Sequence, residues 1–202
     1  VGNCLLDLDG VYYDMCGAVK AYLNRRDKDL LVENITKYNF EGAIGCARSD
    51  VFEALNRLET FKLQKPYTGA VEALERLKEV SNVYAYTGVP TNLMIISHRN
   101  AQIKSLGIDG SALYGRDGDT HGEKPFIDGD WDAIFEDSLD TMKVWMDVPN
   151  MKRFLIDHSY NSEINNPEYS FLLLIGTILA GVVAGVIDWL LYNALSGTWT
   201  QA

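Results

Sequence analysis

Short apolar runs that end in polar residues recur along this chain, at Cys4–Leu8, Val83–Tyr86, Ala112–Tyr114, Ala133–Phe135 and Phe154–Ile156, and helical periodicity fills most of the gaps between them. Strand and helix in alternation predict an α/β fold with a mainly parallel sheet, because parallel neighbours need a long crossover that a helix usually supplies. Between Val71 and Val80 the apolar residues Val71, Leu74, Leu77 and Val80 repeat about every three positions, which predicts one buried helical stripe opened by Thr68 and Gly69. Pro90 stands where the first turn of a following helix is expected, since that turn tolerates a missing N–H. Residues 14 to about 66 separate the first strand from the second and read as largely helical, with Ser49 as N-cap for a helix carrying Val51, Leu55 and Leu58. Such an insertion is placed to cover a site as a cap.

The chain has 202 residues, enough for one ordinary domain and a surplus. A net charge of −10 argues against a nucleic-acid polymer as ligand, because that binding rests on a basic surface. A small phosphorylated ligand stays open, since a metal ion and one lysine can reverse the local field. Cys4, Cys16 and Cys46 form neither a C-x-x-C pair nor a zinc spacing and read as reduced thiols. With the first apolar run leading straight into Asp7, no signal peptide is expected, and the catalytic part is expected to be cytoplasmic.

Asp7-Leu8-Asp9-Gly10-Val11 stands at the end of the first apolar run, where open α/β sheets place their ligand crevice. Two carboxylates two residues apart serve one centre only if the chain leaves strand geometry at once, and Gly10 permits that turn. Alone, the motif also fits a solvated turn. A calcium loop fits worse, because its glycine would come two positions later and Ala18 occupies the place of the bidentate glutamate. Further along, Thr87-Gly88 offers a hydroxyl and a flexible backbone for phosphate oxygens, and Lys124 a compact charge for a phosphoryl group. Glu136-Asp137 supplies hard oxygen ligands suited to Mg²⁺. Each has a structural alternative: Thr87 as a helix cap, Lys124 as a surface charge, Glu136 and Asp137 as an acidic pair at a helix N-terminus. His98, His121 and His158 lack a mutual metal spacing and read as structural or exposed. No Gly-x-Ser-x-Gly elbow is present.

In this order and at strand ends, the four groups resemble the four-motif signature of the haloacid dehalogenase-like hydrolases, over roughly residues 3–161. The resemblance implies a Rossmann-like sheet with a small helical cap and a Mg²⁺-dependent phosphatase. Asp7 would be the nucleophile, Asp9 the general acid and base, Thr87 and Gly88 the phosphate-binding pair and Lys124 the stabilising cation. Asp137, with Glu136, Asp7 and the Asp9 carbonyl, would hold the metal. Three stretches are similar to the 5′(3′)-deoxyribonucleotidase branch: Leu6–Val11, Pro66–Leu74 and Phe154–Asn161. Ser159 replaces a proline of that branch, and Thr87-Gly88 lacks its second hydroxyl. The implied substrate is a deoxynucleoside monophosphate, with another phosphorylated metabolite as the alternative; Tyr12, Tyr13, Phe40 and Phe52 are candidates to stack on a base.

Beyond Tyr160 comes Phe171–Ile187, a stretch free of charge. Taken as far as Tyr192 it is long enough for a transmembrane helix, with Trp189 and Tyr192 at the interface. A buried or intersubunit helix is the other reading, and Gly181–Gly185 provides a G-x-x-x-G that would suit a homodimer. The expected organisation is therefore a phosphatase domain over 1–165, with its cap at about 14–66, a hydrophobic helix over 170–192 and a tail over 193–202. A catalytically silent, membrane-bound interaction module is the reading from a different class.

Overall fold

The structure is a computed structural model that describes residues 2–26, 47–114, 124–156, 158 and 173–174. The first apolar run forms β1 (Gly2–Leu6), followed by α1 (Met15–Arg26), α2 (Arg48–Leu55), α3 (Leu58–Leu63) and α4 (Ala70–Val80). Then come β2 (Ser81–Ala85), β3 (Gly88–Val89), α5 (Leu93–Ser105), β4 (Asp109–Gly110), β5 (Leu113–Tyr114), β6 (Ala133–Glu136), α6 (Leu139–Val144), β7 (Lys152–Ile156) and β8 (Leu173–Leu174). The main sheet runs β4-β2-β1-β6-β7-β8, and all its pairings are parallel. This is the α/β, mainly parallel architecture that the alternation of elements predicts.

The chain travels outward from β1 through β2 to β4, then crosses back to β6 on the other side of β1. The strand order thus reverses between β1 and β6, and the crevice beyond their carboxyl ends is where open α/β sheets bind ligands. Register aligns the strand ends at this point. Leu6 is level with Ala85 on one side and Phe135 on the other, so Asp7, Tyr86 and Glu136 each follow at the same edge. Leu5, Tyr86, Ile134, Met142, Trp145, Met151 and Leu155 form the apolar layer on one face, and Leu6, Leu8, Leu74, Leu77, Val83 and Ile103 lie in the layer on the other.

The described part of the 14–66 insertion is helical, as expected. Asp14 caps α1 by accepting from the Gly17 N–H at 2.7 Å, and a Cβ on Gly17 would fall 2.1 Å from the Asp14 Oδ2. Thr60 donates its hydroxyl to the Ala54 carbonyl at 2.6 Å and so ties α3 to α2. Met15, Val19, Leu23, Val51, Ala54 and Phe61 pack as one cluster with Val89, Ile95 and Ala112. The insertion is seated on β3 and α5.

Several local expectations need correction. The first strand stops at Leu6, not Leu8: Tyr12 and Tyr13 both donate N–H to the Leu8 carbonyl, at 3.0 and 2.7 Å, around Gly10 at φ 79°. Ser49 lies inside α2; Ala47 is the N-cap, and the Asp50 side chain closes back on its N–H at 3.0 Å. Leu58 starts α3 and does not belong to that helix. Pro90 precedes α5, whose N-cap is Asn92, accepting from the Met94 N–H at 3.0 Å; the proline instead holds Val89 extended, in β3. On α4 only Leu74 and Leu77 are buried, while Val71 and Val80 face solvent, because a spacing of three drifts by about 60° per step around a 3.6-residue helix. The run Ala112–Tyr114 gives β5, which pairs with β3 outside the main sheet, and the sheet edge is taken by β4. There a Cβ on Gly110, at φ 98°, would lie 3.0 Å from the Ala85 carbonyl.

The apolar C-terminal run also departs from expectation where it is described: Leu173 and Leu174 form β8 beside Leu155 and Ile156, not a helix. A parallel strand covered on both faces is apolar all round, as a spanning helix is, so composition does not separate the two. No helix among the described residues is long and apolar enough to cross a membrane. The remainder of 170–192, the tail 193–202, Cys46, Phe40, His121 and the segment around Ser159 lie outside the described residues. Cys4 and Cys16 are free thiols, both raised by burial, Cys16 to about 12.

Candidate active site

Asp7 leaves β1 with its N–H donated to the Phe135 carbonyl at 3.0 Å, which locks the residue between β1 and β6. Its side chain is 4 % exposed; Oδ1 accepts from the Leu8 N–H at 2.8 Å and Oδ2 meets the Lys124 ammonium at 2.8 Å. The same ammonium lies 2.7 Å from the Glu136 Oε2. Glu136, fully buried at the end of β6, takes two backbone N–H groups on its other oxygen, from Asp137 at 3.2 Å and Ser138 at 3.0 Å. Ser138 in turn caps α6 by accepting from the Thr141 N–H at 3.3 Å. Oxygen atoms of Asp7, Glu136 and Asp137 all lie within 4.8 Å of one another. Five of the seven residues singled out from the sequence therefore converge: Asp7, Lys124, Glu136 and Asp137 directly, and Gly88 through the Lys124 stem, whose Cε would be 3.7 Å from a Cβ at that glycine.

Thr87 follows β2 at the same edge of the sheet and is completely buried, yet its hydroxyl has no hydrogen-bond partner among the described residues. Buried hydroxyls are normally satisfied, so an orphan at a crevice fits a group kept for a ligand oxygen. Asp9 is placed differently. Its Oδ1 is held by Arg99 and by the Gln64 amide, both at 2.5 Å, and so turns towards α5 and the end of α3. Arg99, Gln64, Tyr86 and Trp145 were not marked by motif reading. For Arg99 a signal existed: Ile95, Arg99 and Ile103 are spaced by four on α5, which puts a charge on the buried stripe.

Tyr86 and Trp145 hold the lysine loop. The Tyr86 hydroxyl donates to the Pro125 carbonyl at 2.9 Å and accepts from the Trp145 indole N–H at 3.2 Å, while the Lys124 ammonium sits 5.3 Å from the Tyr86 ring centre. Tyr86→Phe is expected to lose about 1–3 kcal/mol of stability, since a buried indole N–H and a carbonyl lose their partner, and to lower turnover several-fold by loosening Lys124. Chemical denaturation and steady-state rates on the same preparation test both; a Phe variant with wild-type rates would remove the anchoring role.

Tyr12 and Tyr13, candidates to stack on a base, are core residues packed edge to face at 4.7 Å, and Phe52 lies under Arg48 at 5.1 Å. Leaving β1 at Leu6 turns both tyrosines inward. His98 lies half-buried on α5, and His158 sets its Nε2 against the Gly10 carbonyl beside Tyr67; neither joins the acidic cluster.

The electrostatics of the cluster bear on Mg²⁺. Burial, then the neighbouring Glu136 charge, push the Asp7 carboxyl up to about 8, against the pull of Lys124. Burial likewise pushes Glu136 up to about 7, against Lys124 and reinforced by Asp137. Lys124 pairs with Asp7 and Glu136, the oxygens of Asp137 lie close to both, and a hard divalent cation among Asp7, Glu136 and Asp137 fits this donor set. The linkage follows. Both folded-state values are raised, so their contribution to stability is complete below about pH 4 and is lost as pH rises through about 7 to 8. Added Mg²⁺, which competes with those protons, is expected to raise the melting temperature more at pH 8 than at pH 6. A larger or equal shift at pH 6 would argue against a cation at these carboxylates.

No family model matches the chain, and no curated protein matches it. Among solved structures, a predicted phosphatase from Clostridium acetobutylicum is similar over 93 % of this chain and 98 % of its own, with a TM-score of 0.53 and 15 % identity. A haloacid dehalogenase-like family hydrolase from Streptococcus pneumoniae is similar over 78 % of this chain and 85 % of its own, with a TM-score of 0.46 and 13 % identity. The first of these supports the α/β fold over nearly the whole chain. Fold and site together define a class: a parallel α/β sheet with a lysine-bridged acidic cluster at the point where its strand order reverses.

Proposed function

We propose that the chain is a Mg²⁺-dependent phosphomonoester hydrolase that works through an aspartyl-phosphate at Asp7. The observation that carries this reading is the buried bridge from Lys124 to Asp7 and Glu136, with Asp137 alongside, at the edge where the strand order reverses. A purely structural core gains little from burying two carboxylates on one lysine with a third beside them, because the desolvation cost can exceed the Coulomb gain. A nucleophile that must approach a dianion has a use for that arrangement.

In the first half-reaction an Asp7 oxygen attacks phosphorus while the bond from phosphorus to the leaving oxygen breaks, and Asp9 gives that oxygen its proton. In the second, water attacks phosphorus, the bond to Asp7 breaks, and Asp9 takes the proton that the water loses. Lys124 stabilises the equatorial oxygens as charge redistributes, and Thr87 with Gly88 binds them. Asp7, Glu136 and Asp137, with the Asp9 carbonyl, would hold Mg²⁺, which supplies charge neutralisation between nucleophile and phosphate. This machinery belongs to residues 1–165, with 14–66 as the cap that covers it.

For the substrate, the stretches Pro66–Leu74 and Phe154–Asn161 support a deoxynucleoside monophosphate. Burial of Tyr12 and Tyr13 supports the second reading, another small phosphorylated metabolite, since those rings are not free to stack on a base. Phosphate release from a panel of deoxynucleotide, ribonucleotide and sugar monophosphates, with and without Mg²⁺, separates them. A deoxynucleotide preference is expected; equal rates across nucleotides and sugars would favour the second reading, and no release from any compound would overturn both.

A further inference from the structure

Arg99 is the largest fully buried charged side chain among the described residues, and the mechanism above does not use it. Its guanidinium lies between the rings of Tyr13 and Phe61, with centroids at 5.6 and 5.3 Å. One terminal nitrogen bonds to the Asp9 Oδ1 at 2.5 Å and the Gln64 Oε1 at 3.2 Å, while Nε and Nη1 are buried without a hydrogen-bond partner among the described residues. Stability does not account for such a residue. Ile95 and Ile103 flank it on the same face of α5, where an apolar side chain of similar size would leave no donor unpaired. What the arginine does is hold one oxygen of Asp9. Gln64 donates to that same oxygen at 2.5 Å from the end of α3, where the 14–66 insertion returns to the sheet.

We propose that Arg99 and Gln64 are positioning residues for Asp9: together they occupy its Oδ1 and so present Oδ2, on the one-fifth-exposed side chain, as the oxygen that exchanges protons with the leaving group and with water. The inference rests on the role given to Asp9 under the proposed function. Two donors from two elements fix both the rotation of the carboxylate and its distance from Asp7. Because one donor comes from the insertion and the other from α5, the setting of Asp9 is tied to how the insertion meets the sheet.

The test uses the full chain and two probes, p-nitrophenyl phosphate, whose leaving group departs without a proton, and an alkyl phosphate, whose leaving group needs one. Arg99→Met and Gln64→Met are expected to slow alkyl phosphate hydrolysis by about 10- to 100-fold, at or below the usual weight of acid–base catalysis, with much less effect on the aryl ester. Arg99→Lys should recover part of the loss. In an Asp9→Asn background the same substitutions should cost little more, because the residue they act through is gone. Gln64→Met, at the end of an element, keeps the test decisive if Arg99→Met fails to fold. An unchanged ratio between the two esters in Gln64→Met, or losses that add fully to that of Asp9→Asn, overturns the inference while leaving the proposed function standing. If Asp7→Asn hydrolyses both esters as the wild type does, the proposed function falls and the inference with it.

Discussion

Asp7→Asn is expected to lower kcat for phosphomonoesters by about 10⁴-fold or more, on the scale seen when a covalent nucleophile is removed, while the protein stays folded. Asparagine has the shape of the neutral carboxylic acid, and burial beside Glu136 already pushes Asp7 up to about 8. The contact of Oδ1 with the Leu8 N–H is open to an amide oxygen, and Lys124 keeps Glu136 at 2.7 Å. Removing one of three clustered negative charges relieves repulsion, so the variant should melt higher than the wild type at pH 8 without Mg²⁺, and the difference should shrink towards pH 6. Loss of activity together with a gain in stability is the mark of a group held in place for chemistry at the expense of the fold. Lost activity with a collapsed melting temperature would point instead to a structural role for Asp7.

Lys124→Met should do the opposite to stability and reduce activity as well. With the ammonium gone, Asp7 and Glu136 lose the partner that both share, and breaking a buried pair of this kind costs about 3–5 kcal/mol. The loss is expected to be largest at pH 8 and smaller at pH 6, where the two carboxyls take up protons. Turnover should fall about 10²- to 10³-fold, the usual weight of one preorganised donor at a developing charge. Parallel thermal unfolding at the two pH values and initial rates provide the check. Equal destabilisation at pH 6 and pH 8 would mean that the lysine is not what keeps these carboxyls ionised.

The motif residues were legible because their chemistry is local: a carboxylate, a lysine or a Glu-Asp pair at the end of an apolar run announces itself, and parallel register then brings those ends together. Asp7 and Glu136 meet because Leu6 pairs with Phe135 in a parallel sheet, the kind of sheet that the alternation of elements predicts, while the strand order itself comes from the structure. Arg99, Gln64, Tyr86 and Trp145 were less visible because their roles depend on which helix face packs on which loop. Arg99 alone left a trace, as a charge at helical spacing between two isoleucines. Boundaries went wrong where a side chain competes with the general rule. Asn92 caps α5 and leaves Pro90 to the preceding strand; Asp50, not Ser49, closes the start of α2. For the apolar run after Phe171 composition alone does not decide, since a buried strand and a spanning helix share it; the described part, Leu173 and Leu174, is the strand β8.

The central claim is covalent, and it is tested most directly by mass. Wild-type protein mixed with Mg²⁺ and the best phosphomonoester of the panel, quenched in acid during turnover, should carry the mass of one phosphoryl group on the peptide that contains Asp7, and that mass should be absent from Asp7→Asn treated alike. Turnover without any such adduct at Asp7, or an adduct that persists in Asp7→Asn, would contradict the account.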